Sequence, residues 1–159
     1  TLVVRVHPPI LAGQHLPKEL VTKSLWEERL EDIAAFERYF ARQGYLILKF
    51  FLHVSKEEQK ERFLARLDEP EKNWKFALGD VREREHWDEY MKAYEDAMEA
   101  TSTLEAPWYV IPADDKSNAR LLISKIMNST LESLGLHYPK RTPRRSKELM
   151  AARRLLRRT

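Results

Sequence analysis

The chain has 159 residues, 43% hydrophobic and 10% aromatic, which is enough apolar material for one globular domain and too much for a disordered segment. It has no cysteine, so disulfides, thiol nucleophiles and thiolate metal sites are excluded together, as suits a reducing cytoplasm. The net charge of +3 hides a division: residues 140–159 hold nine Lys/Arg against one acid, Glu148, for +8, which leaves the other 139 residues at −5.

Leu2-Val3-Val4-Arg5-Val6 predicts an apolar strand of a buried parallel sheet, ended by His7-Pro8-Pro9. Over residues 22–43, Trp26, Leu30, Ile33, Phe36 and Phe40 recur at helical spacing, and Gly44 marks the stop. Residues 46–54 predict a second apolar strand, completing a βαβ unit. Ser55 then caps a helix, with Glu58 three residues on to complete a capping box, and Pro70 ends it near Asp68-Glu69.

In that helix Arg62 and Arg66 are four apart and project from one face, beside an apolar stripe of Phe63 and Leu67. Lys72 and Lys75 follow in the loop, with Trp74 between them. Four cations at a helix end and its loop can close over an anion such as a phosphate chain. The alternative is a solvated face whose arginines pair with Glu58 and Glu61.

Asp80 with Glu83 reads as a cap for a long helix lined by Trp87, Tyr90, Met91, Tyr94 and Met98, a stripe expected to be core. Pro107 precedes a third strand over 108–111. Asp114-Asp115-Lys116 then stands at the strand end, either as a ligand site or, the reading favoured here, as the cap of a helix that Gly135 closes. The basic tail, residues 140–159, is expected to be disordered or helical. No apolar run approaches the roughly 18 residues of a membrane span.

The chemistry legible from residue types is mostly negative. The only Lys-Ser/Thr pair of the body is Lys23-Ser24, and Pro17 and Thr22 stand where a P-loop needs glycine. The five histidines show no paired spacing, so no metal ligands are assigned.

The segments ILKFFLHVSKEEQKERFLARLDEPEKNWKF (47–76) and GDVREREHWDEYMKAYEDAMEATSTLEAPWYVIPADDKSNAR (79–120), with LVVRVHP and EDIAAFE upstream, resemble the second family of polyphosphate kinases. The resemblance runs from about residue 2 to residue 139. It implies a three-layer α/β/α, P-loop kinase-like fold with a parallel sheet and an inserted helical lid, here residues 55–101. It also implies phosphoryl transfer between inorganic polyphosphate and AMP or ADP, with Mg²⁺; the protein is separately expected to be a cytoplasmic homo-oligomer without membrane attachment.

Arg66 matches a lid arginine of the family and is the expected catalytic residue. Arg62, Lys72 and Lys75 belong to the same pattern and are the expected phosphate-binding residues. The family's Gly-rich loop and its Asp/Asn-Arg-Ser segment would lie upstream of Thr1. Residues 1–139 are therefore expected to be the C-terminal part of such a domain, with its fold incomplete at the N-terminus and its Mg²⁺ ligands elsewhere. Such a chain is expected to be inactive alone and to self-associate through unpaired strand edges. The competing expectations are a polyanion- or nucleic-acid-binding module acting through the basic tail, with nucleic acid not favoured, and an inactive truncated fragment.

Overall fold

Two parallel strands carry the architecture of the computed structural model, which describes residues 1–157: β1 (Lys49–His53) and β2 (Trp108–Pro112). Their register sets Lys49 beside Trp108 and His53 beside Pro112, and Phe50 stacks on Tyr109 at 5.5 Å between ring centroids. Parallel strands need a long crossover, and the helices between residues 56 and 101 supply it. Ile111 is buried on β2, and Ala106 and Ala113 are buried on either side of it. The fold is thus α/β with a small parallel sheet.

The first expected strand is a helix. Leu2–Val6 forms α1, in which the Arg5 N–H donates to the Thr1 carbonyl at 3.0 Å and His7 N–H to that of Val3 at 2.8 Å. Five apolar residues fit either geometry, and a strand is worth forming only beside a partner whose carbonyls and amides it can satisfy. Here the segment packs on a helix, α6 (Trp87–Thr101), burying Val4 and pairing Arg5 with Asp96. After a short α2 (Pro9–Ala12), α3 (Leu25–Arg42) occupies the expected place and Gly44 follows it at φ +88°, a conformation suited to glycine. Leu25 and Leu30 are buried, whereas Ile33 and Phe36 of the expected apolar stripe are exposed.

Ser55 caps α4 (Lys56–Asp68), its Oγ accepting the Glu58 N–H at 3.1 Å. Glu69 then turns extended before Pro70, ending the helix as expected. The single long helix anticipated from Asp80 is instead α5 (Leu78–Glu83), one 3₁₀ turn (Arg84–His86) and α6. Asp80 lies inside α5, which starts after Ala77 without a side-chain cap. The buried face of α6 is Ala93, Ala97 and Thr101 rather than the Trp/Tyr/Met stripe, because small residues allow the closest approach of neighbouring backbone.

The chain divides into two units, residues 1–123 and residues 124–159, with α7 (Lys116–Ser133) running across the division. In the second unit Gly135 ends α7 at φ +57°, and α8 (Pro143–Leu156) follows. Its cap is Thr142, whose Oγ1 accepts the Arg145 N–H at 3.1 Å, and Pro143 sits at the first helical position. The basic tail is therefore helical over most of its length, and its residues 158–159 lie outside the described residues. No helix among the described residues is long and apolar enough to cross a membrane.

Candidate functional site

The helical spacing of α4 turns Arg62, Phe63 and Arg66 toward the end of β1 and toward α5 and α6. The space they enclose is an open cavity of about 420 Å³. Phe51, Leu52 and Val54 form its floor, and Trp87, Tyr90, Met91 and Tyr94 line the far wall. Of the stripe expected as core, Trp87, Tyr90, Met91 and Tyr94 are half-buried cavity lining while Met98 lies outside it, a correction that follows from the alanine face of α6 taking the packing role. Arg62, Arg66 and Arg84 line the cavity together with the acids Asp80 and Glu83.

The three arginines are not equivalent. Arg62 is engaged at two of its three nitrogens: its Nε donates to Glu58 Oε1 at 2.8 Å, and one Nη donates to the carbonyls of Ala113 at 2.7 Å and Asp114 at 3.0 Å. Asp114 in turn accepts the Ser55 N–H at 2.7 Å, and that backbone bond is the main cause holding its carboxyl below the usual aspartate range. The capping box is thus half made, since Glu58 turns to Arg62 and Asp114 takes the amide it would have filled. These bonds tie the start of α4 to the end of β2.

Arg84 is held as well, its Nη1 donating to Gln59 Oε1 at 2.6 Å and to the Lys56 carbonyl at 3.0 Å. Arg66 differs. Its guanidinium lies 5.3 Å from the Phe63 ring centroid and makes no ion pair among the described residues. It is the half-buried cation of the cavity with its donors still to be used.

Lys72 and Lys75 fall elsewhere. Both lie on the 3₁₀ segment Pro70–Lys75, outside the cavity lining, with Lys72 paired to Glu69 and Lys75 set 5.0 Å from the Trp74 ring centroid. The four expected cations therefore split into two in the cavity and two on the adjoining turn. Sequence reasoning missed Arg84, whose place depends on the break between α5 and α6. The Asp114-Asp115 pair divides as well: Asp115 caps α7, accepting from Ser117 N–H at 2.8 Å and Asn118 N–H at 3.0 Å.

At the cavity rim Glu83 joins three elements. Its Oε2 lies 2.7 Å from His7 Nε2 and accepts the Tyr90 hydroxyl at 2.8 Å, while the His7 and His86 rings meet edge-on at 4.8 Å. The bond from His7 first, then that from Tyr90, holds the Glu83 carboxyl below its usual range. A carboxyl depressed in this way stabilises the fold above the ordinary glutamate range, and that contribution is lost as pH falls through the folded value.

Burial, then the bond to Glu83, raises the Tyr90 phenol to about 12. A raised pKa contributes stability that is complete below the unfolded value of about 10 and lost as pH rises toward 12. Spectrophotometric titration of phenolate should accordingly show a late step near pH 12 that Tyr90→Phe removes. Identical titration curves for the two proteins would contradict this geometry.

Comparison with known proteins adds the following. A family model described as polyphosphate kinase 2 (PPK2) matches residues 17–138. The chain is 51% identical over 156 residues to an ADP-polyphosphate phosphotransferase of Rhodopseudomonas palustris, covering 98% of this chain and 54% of that protein. It is also 51% identical over 122 residues to an AMP/ADP-polyphosphate phosphotransferase of Meiothermus ruber, covering 77% and 46%. The crystal structure of polyphosphate kinase 2 from Arthrobacter aurescens TC1 superposes with a TM-score of 0.73 at 42% identity, over 81% of this chain and 47% of that one. The chain spans about half the length of these relatives.

Proposed function

Because the chain belongs to the polyphosphate kinase 2 family, we propose that it serves phosphoryl transfer between inorganic polyphosphate and an adenine nucleotide, converting AMP to ADP or ADP to ATP. The observation that carries this reading is Arg66, a cation without an ion pair among the described residues, in a cavity walled by aromatic and apolar side chains. In-line phosphoryl transfer asks little covalent chemistry of the protein and much positioning and charge stabilisation. A planar guanidinium engages two phosphate oxygens at once, so Arg66 is the catalytic residue of this reading. Exclusion of water as the 55–101 lid closes protects the transferring group from hydrolysis.

Arg62 spends its Nε and one Nη on Glu58, Ala113 and Asp114, so in this reading it mainly holds α4 and positions Arg66, one turn further along the same helix, with its second Nη left for phosphate. Lys72 and Lys75 are assigned to the polyphosphate chain where it passes the Pro70–Lys75 turn. Among the described residues no three His, Asp or Glu side chains converge on a point that could hold a metal ion. Mg²⁺ in this reaction class would be held by one or two carboxylates together with the substrate phosphates.

Residues 1–159 also encode no Gly-rich phosphate cradle, so the chain by itself is expected to be inactive. β1 and β2 each pair along one side only among the described residues, and we infer self-association through those edges, which sedimentation velocity reads. The test of function joins this chain to the part of the Rhodopseudomonas palustris protein that it does not match. ATP formation from polyphosphate and ADP supports the proposal. A folded joined protein without turnover contradicts it.

A further inference from the structure

We propose that α8 is a docking surface for inorganic polyphosphate, a handle for the polymer carried by the second unit. The identity of the polymer rests on the function proposed above. The handle itself rests on the charges of α8. Arg144, Arg145, Lys147, Arg153 and Arg154 all lie exposed on a helix whose one acid is Glu148. The Thr142 cap and Pro143 make this a built helix, so the charges stand at fixed spacing.

Their arrangement is costly without a counterion. Arg144 and Arg145 occupy the first turn, where the positive end of the helix dipole disfavours cations, and Glu148 must serve both, at 3.2 Å each. Arg153 stands four residues before Arg157, a like-charge pair on one face. A bound polyanion relieves both repulsions.

The alternatives fit less well. α8 has no aromatic residue on which a base could stack. Its apolar residues do not gather on one side: Leu149 and Leu156, seven apart, share a direction, while Met150 and Leu155 point away from it. A helix of this pattern does not lay an apolar face into a membrane surface. A linear polymer with a charge at every link and no bases matches cations spread around the helix.

The test measures binding rather than turnover, so it stands or falls apart from the catalytic proposal. The full chain is compared with a variant carrying Arg144→Gln, Arg145→Gln, Lys147→Gln, Arg153→Gln and Arg154→Gln, with far-UV circular dichroism to confirm that helix content is kept. A second variant, Arg153→Gln with Arg154→Gln, leaves the first turn untouched. Long-chain polyphosphate should bind the five-fold variant at least tenfold more weakly at low salt. The slope of log affinity against log salt should fall by about 3 to 4, taking roughly 0.7 per lost contact, and the double variant should lie between.

Unchanged affinity and slope in the five-fold variant would overturn the handle. Tighter binding of single-stranded RNA than of polyphosphate would overturn it in favour of a nucleic-acid contact. If the joined protein fails to turn over while the chain still binds polyphosphate through α8, the handle stands and the phosphotransferase reading falls.

Discussion

Replacing Arg66 with alanine in the joined protein is expected to lower turnover by about 10²- to 10³-fold, the loss typical of a single removed donor to a developing anionic charge. The loss should fall on kcat more than on KM, because the interaction strengthens as charge spreads over the transferring group. Arg66→Lys should recover only part of it, since an ammonium keeps the charge without the fork. Stability should change by less than about 0.5 kcal/mol, as the guanidinium lies over the Phe63 ring and has no ion pair among the described residues. A folded Arg66→Ala protein with undiminished kcat would remove Arg66 from the chemistry.

Arg62→Leu should produce the opposite profile. The substitution strips a partner from Glu58 and from the carbonyls of Ala113 and Asp114, leaving the Glu58 and Ala113 groups part-buried and short of a partner while water can reach that of Asp114. A loss of about 1–3 kcal/mol in unfolding free energy is expected, read from the midpoint of urea denaturation. Turnover should fall as well, through a displaced α4, yet raising the denaturation midpoint with osmolyte should recover part of it, unlike the Arg66→Ala defect. If Arg62→Leu left stability intact and removed only turnover, Arg62 would be a substrate ligand and not a positioning residue. Two arginines one helical turn apart are thus separable by experiment.

Much of this frame was legible from local signals. Ser55, Pro70, Gly44 and Gly135 act within a few residues of themselves, and each starts or stops a helix where the sequence places it. The apolar runs over 46–54 and 108–111 were legible as strands and form β1 and β2, whereas the βαβ unit expected between residues 2–6 and 46–54 does not form. Leu2–Val6 was not legible, because five apolar residues encode burial but not geometry, and its fate depends on α6, more than 80 residues away. The break between α5 and α6 was hidden for a similar reason, since Arg84–His86 has unremarkable helix propensity and its conformation goes with contacts from Arg84 to α4 and from His7 to Glu83 and His86.

Within the site, spacing placed Arg62 and Arg66 on one face. The alternative pairing with Glu58 holds for Arg62, but spacing did not reveal that the carbonyls of Ala113 and Asp114 at the end of β2 would take one of its Nη groups. Residue type alone does not say which cation is free.

The central claim is that Arg66 receives phosphate in the cavity beneath α4. The most direct measurement is arginine modification by phenylglyoxal in the joined protein, quantified peptide by peptide by mass spectrometry with and without polyphosphate and ADP. Arg66 should react readily in the free protein and be protected by the substrates, while Arg62 reacts more slowly in both states because its Nε and one Nη are already hydrogen-bonded. Equal modification of Arg66 with and without substrates would contradict the account.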